Sequence, residues 1–355
     1  MKPDLSKYQR QISLKSFGLN KQSKLFESKV LIVGLGGLGI PVAQYLNAMG
    51  VGSLGLMDRD TIALHNLHRQ VLYSEREVGQ LKVKIAAEKL KKQNSQTKII
   101  PIPEFLSKEN ALEIIQAYDL VVDASDNFAT RYLINDACVM LKKPFVYGAL
   151  HDFEGQVSVF NYQDGPTYRC LFPKTPKADE IPNCDDNGVL GILPGIIGNL
   201  QALEAVKVLT EVGEVLSGKL LIFDGLTQKN RLVQFERNPE TKGVIQLQKN
   251  YGFDLCNTLQ TIGADDFLHL DIQQQLIDVR SETEFNSGHL EEAMNIPLQK
   301  LDDHLDKIAL GQPVYLICQS GKRSALAAQR LSELFPDTIV YSIEGGMDQI
   351  SILCH

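Results

Sequence analysis

Apolar positions follow two rhythms along the first 150 residues. Short runs with almost no charge, Val30–Val33, Ser53–Met57, Ile99–Ile102 and Leu120–Asp123, have the continuous hydrophobicity of strands buried on both faces. Helical spacing covers Leu38–Met49, Val83–Lys92, a segment near Lys108–Ala117, and Thr130–Lys142. Strand and helix in repeated alternation predict a doubly wound, Rossmann-like α/β sheet. After Phe145–Ala149 the pattern changes, and Gly155–Phe160, Leu220–Phe223 and Arg231–Phe235 predict antiparallel strands that extend it. Between them, 161–191 reads as a loop holding Pro166, Pro173, Pro176 and Pro182. A stretch that long without structure is usually functional or disordered. It ends in Leu193–Leu200, which opens an apolar helix running to about Leu209.

Residues 238–257 are polar and aperiodic and read as a linker between a domain at 1–237 and a second at 258–355. In the latter, Leu276–Val279, Val314–Ile317 and Thr338–Ile343 predict strands and Ser324–Leu334 a helix, making a small α/β unit. Two domains are also what 355 residues lead one to expect. With 44% hydrophobic and 22% charged residues the composition is that of a globular protein. A net charge of −7 and no basic block argue against nucleic-acid binding. Residues 30–57 are nearly charge-free, but their glycines, Pro41, Gln44 and Asn47 break them into strand, turn and helix, so no membrane span is expected. The start lacks the apolar core of a signal peptide, and six cysteines without regular spacing read as reduced thiols. Both point to a cytoplasmic protein.

The chemistry begins at Gly34, Gly36, Gly37 and Gly39, which follow the first strand. Such a turn lets a nucleotide phosphate approach the backbone, and its commonest use is dinucleotide binding. Asp58, at the end of the second strand, is placed to hold ribose hydroxyls, a feature NAD and ATP share. Arg69, Gln70, Lys82 and the pair Asp126–Asn127 separate the two. Cleavage between the α- and β-phosphates builds charge on pyrophosphate, which cationic side chains and a carboxylate-held Mg²⁺ stabilise. A dehydrogenase has no such need. One Arg or Lys alone is a solvated surface charge; the set at successive strand ends is not.

Taken in order, Tyr8-Gln-Arg-Gln11, Gly34–Gly39, Asp58-Arg-Asp60, Asn66-Leu-His-Arg-Gln70, Gly79-Gln-Leu-Lys82 and Ser125-Asp-Asn127 resemble the MoeB/ThiF family over about 5–237. These are bacterial members of the ubiquitin-activating-enzyme superfamily. The resemblance implies a homodimeric adenylyltransferase that uses ATP and Mg²⁺ on the terminal Gly-Gly of a MoaD- or ThiS-like sulfur carrier. By position it assigns Asp58 to the ribose, Asn66, Arg69 and Lys82 to the phosphates, and Asp126 to Mg²⁺. Arg10 would reach the neighbouring subunit's site. Many relatives bind zinc with two Cys-x-x-Cys pairs. Here the first is reduced to Thr167-Tyr-Arg-Cys170 and the second is missing, so Cys170 and Cys256 cannot supply four ligands and no zinc is expected.

Two cysteines differ in their surroundings. Cys184 lies between Asn183 and Asp185-Asp186 in the proline-rich loop, where the carboxylates would raise its pKa. By the resemblance it would link covalently to the carrier; an incidental loop cysteine is the alternative. Cys318 ends a strand and opens Cys318-Gln-Ser-Gly-Lys-Arg323 before a helix, where loop amides, the helix dipole, Lys322 and Arg323 favour a thiolate. Four residues between Cys and Arg make a tighter cradle than a phosphate needs. With Asp278-Val-Arg280, Glu282, Gly288-His289, Asn295-Ile-Pro297 and Glu344-Gly-Gly346, the segment 258–355 resembles a rhodanese domain. The resemblance implies a persulfide on Cys318 steadied by Arg323, loaded by a cysteine desulfurase or another donor, with Asp278 and Arg280 structural and His289 either catalytic or, as is commoner in the family pattern, a stabiliser of the fold. Activation and sulfur transfer in molybdenum cofactor or thiamine biosynthesis follow as the expectation. The rivals are an NAD-dependent oxidoreductase with an accessory domain, and an adenylyltransferase whose rhodanese-like unit only docks a partner.

Overall fold

The computed structural model describes residues 4–173, 188–239, 244, 246–248, 251, 260–270, 275–309, 311–335 and 338–353. The chain divides into two compact units, Met1–Tyr251 and Gly252–His355.

In the first unit, α1 (Gln9–Ile12) and α2 (Gly18–Glu27) precede β1 (Lys29–Val33), α3 (Gly39–Ala48), β2 (Ser53–Met57), α4 (Lys82–Gln93) and β3 (Lys98–Ile102). Then come α5 (Ala111–Gln116), β4 (Leu120–Asp123), α6 (Phe128–Leu141), β5 (Phe145–His151) and β6 (Glu154–Phe160). The unit closes with α7 (Tyr168–Leu171), α8 (Ile192–Thr210), β7 (Lys219–Asp224) and β8 (Lys229–Gln234). One eight-stranded sheet runs β3-β2-β1-β4-β5-β6-β7-β8. It is parallel through β5 and antiparallel from β6 on, the mixed architecture the pattern predicts. Val30, Leu31 and Ile32 of the central strand are fully buried, which is why that run carries no charge. Between β1 and β4 the winding reverses, and ligands of such sheets bind at the carboxyl ends of those strands. Helix α8 is long and apolar enough to cross a membrane, but more than half of it is buried, against α3, β5 and β6.

Several boundaries differ from the sequence reading for local reasons. Helix α6 starts two residues early because the Asn127 side chain accepts the Thr130 N–H as an N-cap, and it stops where Lys142 turns left-handed at φ 53°. The 161–191 segment is not all loop: Thr167 caps α7, while 174–187 falls outside the described residues.

The second unit holds β9 (Gln260–Ile262), α9 (Ala264–Leu268), β10 (Gln275–Asp278), α10 (Glu282–Ser287), β11 (Met294–Asn295), β12 (Val314–Ile317), α11 (Lys322–Leu334), β13 (Val340–Ile343) and α12 (Gly346–Leu353). Its sheet runs β11-β10-β12-β13-β9, entirely parallel. One cluster packs Ile277, Leu316, Ala327 and Leu331, and another Leu276, Tyr315, Ile343 and Ile350, so alternate residues of β10 and β12 face opposite cores. Strands β9 and β11 span three and two residues and left no apolar run to find.

Candidate active sites

Three of the four glycines after β1 are fixed by packing. Gly34 has φ +95° and a Cβ there would lie 2.6 Å from the Ala124 carbonyl oxygen. On Gly39 a Cβ would meet the Gly34 carbonyl oxygen at 1.9 Å, and on Gly37 it would press Pro194 of α8 at 2.8 Å. Gly36 differs: only the Gln70 amide nitrogen lies near, at 3.7 Å. Gly36 is therefore the open side of the turn, where a phosphate could reach the backbone ahead of α3.

The strand ends converge on this turn. Asp58 is buried; its carboxylate accepts the Leu35 N–H at 2.7 Å and the Asp60 N–H at 2.8 Å. Burial pushes its pKa up, with the Lys82 charge and those N–H bonds pulling against it. Lys82 opens α4 and is 5% exposed, its ammonium 2.9 Å from Asp60. A left-handed Gly79 and a bridge from Thr61 to Leu81 bring it back beside β2. Arg69 donates to Asn66 Oδ1 at 2.7 Å and to the His65 carbonyl at 3.3 Å. Gln70 is buried and its Oε1 has no hydrogen-bond partner among the described residues, which fits a polar ligand at the turn.

Asp126 and Asn127 follow β4 and are exposed. The Asn127 Oδ1 is engaged as the α6 cap. Beneath them lies a feature the sequence reading missed. Asp123 accepts from the Ser125 N–H and hydroxyl at 3.0 and 2.6 Å, and buried Arg131 donates to the Ser125 carbonyl at 3.3 Å while facing the Phe128 and Tyr147 rings. Asp123 closing an apolar run, with Arg131 eight residues on in a largely apolar helix, was the available signal. Among the described residues no cluster of three or more His, Cys, Asp and Glu could hold a metal. A single exposed Asp126 suits Mg²⁺ bound jointly with phosphate oxygens. Arg10 is exposed on α1, a helix anchored by Tyr8, whose buried hydroxyl accepts from Asn94 at 2.9 Å, and by Gln11, which donates to the Met49 carbonyl at 3.1 Å. The Cys170 sulfur accepts the Thr167 and Asn238 N–H groups, each at 3.3 Å. Cys256 and Cys184 lie outside the described residues.

In the second unit, Cys318 sits at the end of β12, 1% exposed. Its sulfur accepts the Gly321 N–H at 3.2 Å and lies 3.6 Å from the Ser324 hydroxyl. The Gly345–Gly346 turn abuts the loop so closely that a Cβ on Gly346 would stand 2.2 Å from the Cys318 carbonyl oxygen. Helix α11 begins at Lys322, two residues earlier than its apolar spacing indicated, with Gly321 (φ +90°) as its N-cap. The Lys322 side chain lies outside the described residues. Arg323 forms a two-pronged pair with Glu284 of α10 at 2.6 and 2.8 Å. Asp278 and Arg280 form a buried pair at 2.7 Å; Arg280 also donates to the Gly288 carbonyl and to Gln319. His289 stacks on Phe285 with ring centres 3.8 Å apart.

The first fold, with its glycine turn, cations at the strand ends and antiparallel extension, defines a class. The chain belongs to the ThiF family, whose model matches residues 8–244, and a rhodanese-like domain model matches 264–352. It is 40% identical over 97% of its length to the adenylyltransferase and sulfurtransferase MOCS3 of Drosophila persimilis, covering 82% of that protein. With the Xenopus laevis protein of the same name, identity is 38% over 97% of this chain and 86% of that one. Among solved structures, E. coli MccB aligns with TM-score 0.57 at 25% identity, over 65% of this chain and 69% of that chain. MccB with ATP gives TM-score 0.57 at 22% identity, over 64% and 74% respectively.

Proposed function

We propose that this protein is an ATP-dependent adenylyltransferase and sulfurtransferase. It activates the terminal Gly-Gly carboxylate of a ubiquitin-like sulfur carrier and then supplies sulfur from a persulfide on Cys318. The observation that carries the reading is the union, in one chain, of two sites. One is the open Gly36 turn, with Asp58 bonded to the Leu35 N–H, Gln70 beside Gly36, and Arg69, Lys82 and Asp126 following at the strand ends. The other is the Cys318 loop, whose Gly321 N–H points at the sulfur. Family membership and the relatives' names support both halves.

In the first half a carrier carboxylate oxygen attacks the α-phosphorus and pyrophosphate leaves, its charge met by Arg69 and Lys82. Mg²⁺ on Asp126 would neutralise further phosphate charge. In the second, the outer sulfur of the Cys318 persulfide attacks the acyl carbon and AMP departs. A second thiol, for which Cys184 is the candidate, attacks the Cys318 sulfur and frees the thiocarboxylate; an external thiol reduces the resulting disulfide. Arg10 from a second subunit, the absence of zinc and a cytoplasmic setting belong to the same proposal. A cysteine desulfurase would load the persulfide.

ATP–pyrophosphate exchange that requires a carrier ending in Gly-Gly tests the first half; carrier-independent exchange defeats it. Cys318→Ser is expected to abolish thiosulfate:cyanide transfer and spare exchange. Retained transfer would reduce the second unit to a docking module. A pull-down of the carrier decides between molybdopterin and thiamine branches.

A further inference from the structure

The Cys318 sulfur rests on a closed triangle of two hydroxyls and a backbone carbonyl that the sulfur-transfer reading does not use. Ser324 and Ser342 are 0% and 2% exposed. Their oxygens are 2.8 Å apart, and both reach the Gly321 carbonyl, at 2.9 and 3.4 Å. Ser324 is also the hydroxyl 3.6 Å from the sulfur. Ser342 comes from the neighbouring strand β13, eighteen residues away along the chain.

Two hydroxyl protons thus serve three acceptors: the Gly321 carbonyl, the Ser324 oxygen and the sulfur. With a neutral thiol, the S–H donates to Ser324 while Ser324 donates to Gly321. When the sulfur is an anion, the Ser324 proton swings to it, and Ser342 donates to the Ser324 oxygen or to Gly321. The Gly321 carbonyl keeps the Ala325 N–H at 3.1 Å throughout, so the swing leaves no buried acceptor bare. We infer that Ser324 is a catalytic hydroxyl for the departing Cys318 thiolate, and that Ser342 is the positioning residue that frees its proton.

This rests on the sulfur-transfer reading of Cys318. During discharge an acceptor's lone pair bonds the outer sulfur, the S–S bond breaks, and its electron pair stays on Cys318. The thiolate so formed is the leaving group, and a hydroxyl donating to it speeds that step. Among the described residues, charged groups around the loop are engaged elsewhere: Arg280 with Asp278, Arg323 with Glu284, and Asp348 with the Gln319 amide. The serines supply uncharged donors that can reorient.

The test uses the full chain. The Cys318 pKa is read from thiolate absorbance against a matched Cys318→Ser background, and discharge from thiocyanate release after loading with thiosulfate and adding cyanide. Ser324→Ala should raise the thiol pKa by about one unit and slow single-turnover discharge on the order of tenfold, the effect of one hydrogen bond to a charged sulfur. Ser324→Thr, which keeps the hydroxyl, should restore both. Ser342→Ala should give a smaller shift of the same sign. An unchanged pKa in Ser324→Ala overturns the inference. If Ser324→Ala does not fold, an unchanged pKa in Ser342→Ala does so. Wild-type protein that moves no sulfur while Ser324→Ala still shifts the pKa would defeat the transfer reading alone.

Discussion

Glu284 grips Arg323 with both carboxylate oxygens, tying α10 to the first turn of α11. The bond to Arg323 is the main reason its carboxyl is held down at about 2 from an ordinary 4.5. A depressed carboxyl stabilises the fold fully above its unfolded value, and that contribution is lost as pH falls from about 4.5 through about 2. The Glu284 side chain is 34% exposed, so solvent screening leaves about 1–2 kcal/mol. Glu284→Gln should lower the protection of α10 and α11 amides against hydrogen exchange by that amount in neutral buffer. At the acid end of the window variant and wild type should converge; equal protection throughout would show that the pair does not stabilise.

The glycines after β1 separate structure from ligand. Gly39→Ala forces a Cβ against the Gly34 carbonyl and should cost about 3 kcal/mol, the upper range for overpacking, seen as a lower Tm. Gly36→Ala has room and should keep the wild-type Tm while raising KM for ATP. A Gly36→Ala chain with unaltered ATP kinetics would move the phosphates elsewhere.

Lys82 is 5% exposed and pairs with Asp60, whose side chain is 54% exposed. Replacement by Ala should reduce carrier-dependent pyrophosphate exchange by about 10²- to 10³-fold, the usual loss for one preorganised charge donor. Thiosulfate:cyanide transfer should be unchanged, since Cys318 belongs to the other unit.

Asp136 is 1% exposed and accepts from Arg169 at 2.7 and 2.8 Å, from the Asn135 amide at 2.8 Å and from the Tyr251 hydroxyl at 2.7 Å. It thereby joins α6, α7 and the chain beyond β8. Asp136→Ala leaves Arg169 without its buried counter-charge and should destabilise the first unit by about 3–5 kcal/mol in chemical denaturation. A loss below about 1 kcal/mol would mean that water replaces the carboxylate.

The chain's own residue order determined the strands, the helices between them and the two chemical turns, because burial on both faces is written locally at Val30–Val33, Leu120–Asp123 and Val314–Ile317, and helical spacing at Val83–Lys92. Gly34–Gly39 and Cys318–Arg323 were legible for the same reason. Each is a run of contiguous residues. Tertiary structure decided the partners. Arg323 meets Glu284 rather than standing alone, Ser342 arrives at Cys318 from a neighbouring strand, and Arg131 settles under Asp126 beside Asp123. Strand order and register set those pairings. No local periodicity encodes them, since residues far apart in sequence become neighbours only when the sheet closes.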